Sequence, residues 1–255
     1  MSAASKGAAL VTGAGKRIGR AIALALAEDG YDVAVHYGSS KGEADAVVAA
    51  IKAKGRRAEP LAADLSREDE TQKLIAAAAK ALGPLTCLVN NASLFERDEA
   101  LTVTRESWDA HFETNLRAPF VLMQEFARQL PAEAKGAIVN IVDERVWNLT
   151  PHFVSYTLSK AGLWTLTQVM AMALAPRIRV NGIGPGPTLP SPRQSAEQFA
   201  RQQASVPLQH GATPEEIAAA VRFILSSGAM TGQMIALDGG QHLGWAQPGQ
   251  VLQTE

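Results

Sequence analysis

Tyr156 and Lys160, in Tyr156-Thr157-Leu158-Ser159-Lys160, stand four positions apart in a stretch of helical character. That spacing puts a phenol and an ammonium on one helix face. An unperturbed phenol titrates near pKa 10. A neighbouring cation stabilises the phenolate and lowers that value, which makes Tyr156 a candidate proton donor near neutral pH. Asp143 closes the apolar run Val139-Asn140-Ile141-Val142-Asp143, so its carboxylate is expected in the same crevice. Far upstream, Thr12-Gly13-Ala14-Gly15-Lys16-Arg17-Ile18-Gly19 joins an apolar run to a helical one. Backbone N–H groups and the helix dipole at such a turn favour a phosphate. Arg17 puts a cation where the dipole disfavours one, and an anionic ligand would remove that conflict. A diphosphate cradle followed by a proton donor is what nicotinamide-dependent reduction needs, since the cofactor carries the hydride and the protein supplies orientation and an acid.

The residues between these two motifs refine the cofactor. The second apolar run ends in His36-Tyr37-Gly38-Ser39-Ser40-Lys41. A carboxylate usually receives the ribose 2′-hydroxyl of NAD at this place, and none is present. Two hydroxyls, a histidine and a lysine suit a 2′-phosphate, so NADP(H) is expected; Ser40 can also serve as an N-cap. Asp64, in Ala62-Ala63-Asp64-Leu65, either accepts from an adenine amine or caps the next turn. Asn90-Asn91-Ala92-Ser93 ends the fourth run with small residues that let a cofactor lie against the backbone.

These groups need a scaffold, and the chain alternates short β-rich runs with Ala-rich helical ones. Strands are expected at 8–12, 32–36, 57–62, 85–90, 137–142, 177–182 and 234–237, and helices at 17–28, 41–54, 69–82, 107–130, 155–174 and 214–226. The strands are continuous Val/Ile/Leu/Ala runs rather than alternating ones, as in parallel strands buried on both faces. The fold class is therefore α/β: a doubly wound parallel sheet with helices on both faces. Ligands then bind outside the carboxyl ends of the strands. Gly184-Pro185-Gly186-Pro187-Thr188-Leu189-Pro190-Ser191-Pro192 breaks the rhythm, and its prolines and glycines predict irregular structure. The stretch from Leu189 to Pro207 has no readable motif and is expected to be mobile. One domain is expected over 1–246, with a loose polar tail over 247–255.

Composition limits the partners. The 255 residues are 47% hydrophobic with a formal net charge of −1, enough for one sizeable core. A near-neutral chain gives no electrostatic case for nucleic acid or an anionic membrane. No stretch approaches the roughly 20 apolar residues of a membrane span, and the start has no signal-peptide core. One cysteine, Cys87, excludes an internal disulfide; it lies in an apolar run and reads as a buried thiol. The five histidines are scattered without an i, i+4 pair, so no metal site is expected. A cytoplasmic location and a small-molecule substrate fit these limits.

Together these residues resemble the short-chain dehydrogenase/reductase family, from Ala8 to about Leu243. The resemblance implies a Rossmann-type sheet of seven strands and a homodimer or homotetramer. It also implies a catalytic tetrad in which Asn115 matches the asparagine that kinks its helix and holds a water linked to the lysine. Tyr156 and Lys160 match the acid and its partner. Pro185, Gly186 and Thr188 match the family's Pro-Gly-x-x-x-Thr region loosely, the threonine coming early. Gly13, Ile18, Gly19, Leu65, Asn91 and Ala92 complete the expected cofactor contacts.

Two departures narrow the resemblance. Arg17 replaces the middle glycine of the usual turn, and Asp143 replaces the tetrad serine thirteen positions before Tyr156. Both are shared by the pteridine reductase branch, which includes bacterial dihydropteridine and dihydromonapterin reductases. So are His36-Tyr37 and Asn90-Asn91-Ala92-Ser93-x-Phe95. In that branch the residue matched by Phe95 stacks the pterin, and the arginine matched by Arg17 lies between pterin and cofactor phosphate. Arg17, Ser93, Phe95, Asp143 and Tyr156 are thus the expected substrate contacts, although Phe95 also reads as a packed aromatic lid. The expected activity is NADPH-dependent reduction of a pteridine-like C=N bond. A carbonyl reductase acting on 3-oxoacyl thioesters or sugars is the alternative, and a non-catalytic NADP-binding sensor a remote one.

Overall fold

The computed structural model describes residues 6–244; the expected tail over 247–255 lies outside them. Seven strands form one sheet: β1 (Ala8–Val11), β2 (Asp32–Tyr37), β3 (Ala58–Ala62), β4 (Leu85–Asn90), β5 (Gly136–Ile141), β6 (Ile178–Pro185) and β7 (Met234–Leu237). Their order is β3-β2-β1-β4-β5-β6-β7, and every neighbouring pair is parallel. The order reverses between β1 and β4, which opens a crevice at their carboxyl ends. The helices are α1 (Arg17–Glu28), α2 (Lys41–Ala53), α3 (Glu68–Leu82), α4 (Arg105–Phe112), α5 (Ala118–Gln129), α6 (Val154–Leu174), α7 (Ala196–Ser205) and α8 (Pro214–Ser226). Among the described residues no helix is long and apolar enough to cross a membrane.

Strand residues alternate between two cores because successive side chains point to opposite faces. Ala9, Val11, Val33, Val35, Cys87 and Val89 pack with Ile22 and Leu26 of α1, Ile51 of α2 and Ile217 of α8. Ala8, Leu10, Ala34, Leu85 and Leu88 pack on the other face with Leu74 of α3, Phe126 of α5 and Met170 of α6. Both faces are covered, which is why the strands read as unbroken apolar runs. Cys87 is fully buried, and burial pushes its thiol up to about 12.

Three details differ from the sequence expectation. The long helix expected over 107–130 divides into α4, a π turn over Glu113–Arg117 and α5. Pro119 explains the division: it has no N–H for the Asn115 carbonyl, and its ring would crowd that carbonyl in a regular helix. Strand β6 runs on through Gly184 and Pro185, pairing with Ala236 and Leu237. Proline is tolerated at a strand end, so the irregular stretch begins later than its composition predicts. The segment after it contains α7, whose N-cap Ser195 and Gln198 form a capping box.

A buried amide ladder crosses the central layers. Asn90 Nδ2 donates to Asn140 Oδ1 (2.8 Å), and Asn140 Nδ2 donates to Thr167 Oγ1 (2.9 Å), joining β4, β5 and α6. Asn140→Ala leaves Asn90 without that acceptor inside the protein. Each buried group stranded this way costs about 1–3 kcal/mol, so the urea midpoint should fall accordingly. An unchanged midpoint would show that the ladder contributes nothing to stability.

Candidate active site

The carboxyl ends of β1 and β4 are fastened together at the crevice. Thr12 Oγ1 accepts from the Asn91 and Ala92 amides, both at 2.9 Å, and Asn91 Nδ2 donates to the Thr12 carbonyl at 2.8 Å. From that fastening the glycine turn leads into α1. Gly13 has φ +62°, in the left-handed region that favours glycine. A Cβ at Gly19 would stand 2.3 Å from the Gly13 carbonyl oxygen and 2.6 Å from Asn91 Nδ2, so only glycine fits. Lys16 is the N-cap of α1 and makes no side-chain capping bond. The first-turn amides are therefore left for an anion, and the turn fits the diphosphate of a dinucleotide.

His36 has a different place from the one its position in the sequence implies. It is 2% exposed. Its Nδ1 accepts from the Gly13 N–H (3.0 Å), which leaves Nε2–H to donate to the Ala63 carbonyl (3.1 Å). Burial draws its pKa down to about 4, so it is neutral at pH 7 and offers no cation to a 2′-phosphate. It braces the turn from beneath. Tyr37, half-buried, packs against the core. Ser39 is exposed, and Ser40 is the N-cap of α2 without a capping bond from its hydroxyl. Both hydroxyls remain to serve a phosphate, beside Lys41. The Lys41 ammonium pairs with Asp45 at 2.7 Å on the surface, a contact weak enough to exchange. Asp64 Oδ1 accepts from the Ser66 amide and hydroxyl, so it caps the turn. The Leu65 side chain is buried in the core, leaving only its backbone for a ligand.

One cavity of about 490 Å³ lies over these strand ends. Arg17, Ile18, Asn91, Ser93 and Phe95 line it from the β1 and β4 side; Asp143, Tyr156 and Lys160 from β5 and α6; Pro185, Gly186 and Thr188 from the end of β6. Gly186 cannot carry a side chain, since a Cβ would come 2.6 Å from the Asp238 Cα. Asn115 sits behind the wall in the π turn, 1% exposed. Its Nδ2 donates to the Leu94 carbonyl (2.9 Å) and Ser159 Oγ (3.1 Å), and its Oδ1 accepts from the Leu94 amide (2.8 Å). It holds the loop carrying Ser93 and Phe95 against α6.

The acid–base geometry centres on Asp143. Tyr156 Oη donates to Asp143 Oδ2 at 2.6 Å, while Lys160 Nζ donates to the Ile141 carbonyl at 2.9 Å. The expectation that Lys160 lowers the Tyr156 phenol is overturned. Burial and the Asp143 carboxylate raise it well above its usual range. A neighbouring anion opposes phenolate formation, and the carboxylate is the phenol's direct partner. Burial also brings Lys160 down to about 8.

Phe95 is packed as an aromatic lid and also lines the cavity. Its ring stacks on Phe153 (centroids 4.6 Å, 11°), meets Tyr156 edge-on (4.7 Å) and lines the cavity. The segment expected to be mobile is tied across the cavity by two guanidinium groups. Arg17 donates to the Pro190 and Leu189 carbonyls (2.9 and 3.2 Å). Arg193 donates to Glu96 and the Phe95 carbonyl, with its guanidinium 5.3 Å from the Phe95 ring. Arg17 itself is held at φ +54°, a conformation that costs a non-glycine residue of order 1–3 kcal/mol. Sequence reasoning missed Glu144, Arg193 and the buried cluster of Asp98, His111 and Ser155. In that cluster His111 Nε2 accepts from the Glu96 amide, and Ser155 Oγ contacts both His111 and Asp98. The capping-box pattern at Ser195 is a signal that could have revealed α7; nothing local marks the cluster.

The chain has close relatives. The family described as enoyl-(acyl carrier protein) reductase matches residues 13–242. The 3-oxoacyl-[acyl-carrier-protein] reductase FabG of Staphylococcus epidermidis is 35% identical over 240 residues, 92% of this chain and 98% of the relative. Crystal structures of FolM alternative dihydrofolate reductase 1 from Brucella suis and Brucella canis, each with NADP, are 46% and 45% identical with TM-scores of 0.92 and 0.93. They cover 95% and 98% of this chain and 98% and 99% of their own.

The brace at His36 has a pH signature. The folded state holds the imidazole near pKa 4, whereas an unfolded one titrates near 6.5. Between those values the unfolded chain binds more protons, so this contribution to stability is present above about pH 6.5 and is lost as pH falls towards 4. His36→Phe should flatten the fall in urea midpoint between pH 7 and pH 5 and weaken NADPH binding. A variant with the parent's pH dependence would remove His36 from this role.

Proposed function

Since the chain belongs to the short-chain dehydrogenase/reductase family and is an NADP-dependent oxidoreductase, we propose that it reduces a pteridine-like C=N bond. The bound nicotinamide supplies the hydride. The remaining work falls to the chain's own groups. The observation that carries the proposal is the Tyr156–Asp143 hydrogen bond of 2.6 Å, because it places a carboxylate where the wider family has a serine hydroxyl. A carboxylate favours a ring nitrogen that gains a proton and opposes an oxygen that gains negative charge. Tyr156 holds the proton at its hydroxyl oxygen, Asp143 orients it, and Lys160 sits behind both on the Ile141 carbonyl. Phe95 offers a flat ring, Ser93 a hydroxyl and Arg17 a cation at the cofactor side of the cavity. The likeness to two FolM alternative dihydrofolate reductases supports this reading.

A second reading, reduction of a 3-oxoacyl thioester or another carbonyl, is favoured by the likeness to FabG. Asp143 decides between them. In the parent, kcat/KM should be higher for a dihydropterin than for an activated ketone. Asp143→Ser should lose most pterin reduction while ketone reduction survives or improves. A parent that prefers the ketone, or a variant with undiminished pterin turnover, would sink the pteridine reading.

Tyr156→Phe tests the acid. Turnover should fall at least a hundredfold, in keeping with the size of general acid catalysis, while NADPH binding by calorimetry stays within a few-fold. Turnover close to the parent's would take Tyr156 out of the role. The proposal includes a cytoplasmic homo-oligomer; exposed Leu158, Val169 and Met172 along α6 support the assembly.

A further inference from the structure

Glu144 follows Asp143 directly and opens a 3-10 turn over Glu144–Val146. It is 4% exposed and lines the cavity, yet its Oε2 has no hydrogen-bond partner among the described residues. Gln241 opens a second 3-10 turn, Gln241–Leu243, and lines the same cavity with its Oε1 equally unpartnered. Asn148 joins the two segments by donating Nδ2 to the Gln241 carbonyl at 3.0 Å. Two residues that line one cavity thus each carry a buried oxygen without a donor. Leaving such a group unsatisfied is costly, and native proteins explain nearly all such groups.

The charges around Glu144 say what kind of group completes them. Asp143 and Arg145 flank it, Asp238 approaches from the end of β7, and Tyr156 faces it from α6. Asp238 is itself paired with His242 at 2.7 Å. Burial and the Asp143 charge push the Glu144 carboxyl up to about 8, so it is largely protonated at pH 7. An anionic substrate group would be repelled here by the Asp143 and Asp238 charges that already keep the Glu144 carboxyl neutral. A nitrogen donor would meet acceptors.

We infer that Glu144 and Gln241 form a specificity subsite for the nitrogen donors of the substrate, an amino group on a heteroaromatic ring or an amidine. Their carboxyl and amide oxygens accept the donor's N–H bonds. The subsite deepens the pteridine reading and rests on it for the choice of ring, though not for its chemistry.

The test uses full-length protein loaded with NADP and two matched rings, 2-amino-4-oxopteridine and 2,4-dioxopteridine. The parent should bind the amino ring at least ten-fold tighter. Glu144→Leu should bring the two within about two-fold, and its melting temperature should not fall, because an apolar side chain replaces an unsatisfied buried one. A residue with a merely structural role would show the reverse: lost stability and unchanged preference. Equal binding of both rings by the parent, or a preference that survives Glu144→Leu, overturns the inference. If Glu144→Leu does not fold, Gln241→Leu is read by the same criteria. If the parent binds neither ring, the pteridine reading fails by itself, and benzamidine against benzoate decides the subsite. Benzamidine binding that is lost in the variant upholds it, and no preference for benzamidine overturns it.

Discussion

The ladder between β1 and β4 ends where the strand order reverses, and a side-chain lock takes over. Thr12 and Asn91 exchange bonds there that the sheet itself no longer supplies. The cofactor side of the site hangs from this lock. On one side it fixes the glycine turn, because Gly19 packs against Gly13 and Asn91 with no room for a side chain. On the other it starts the loop that carries Ser93 and Phe95. His36 braces the turn from below by using both ring nitrogens, which ties the geometry of the phosphate cradle to a buried neutral imidazole.

The second organising feature is the accumulation of carboxyl groups at the end of β5. Asp143 accepts the Tyr156 hydrogen bond and raises the phenol, and with burial it keeps Glu144 protonated. Only limited compensation comes from Lys160, which burial weakens as an ammonium and which bonds to a backbone carbonyl. This is the electrostatic basis of the proposed preference for a nitrogen that gains a proton over an oxygen that gains negative charge.

Two cations tie the loops around the cavity. Arg17 crosses from the cofactor turn to the Leu189 and Pro190 carbonyls, and Arg193, three residues further on, joins the same segment to Phe95 and Glu96. Arg17 thereby links the glycine turn to the roof, which gives its left-handed backbone a structural reason beyond any ligand.

The sequence by itself determined the α/β class, the seven strands and the positions of Tyr156, Lys160, Asp143 and the glycine turn. These are local signals: apolar runs, helical spacing, and glycines where the backbone needs them. Pro119 was also present to mark the π turn at Asn115, since a missing amide acts on its own helix. What each polar side chain bonds to was decided by tertiary structure alone. His36 faces the core rather than a phosphate because the strand's alternation and the Gly13 amide meet it there. Tyr156 answers to Asp143 rather than to Lys160, thirteen positions against four, because the end of β5 brings the carboxylate within 2.6 Å. Helical spacing places groups on one face, but electrostatics depends on distance and burial. Those are set by strands and helices far apart in the chain.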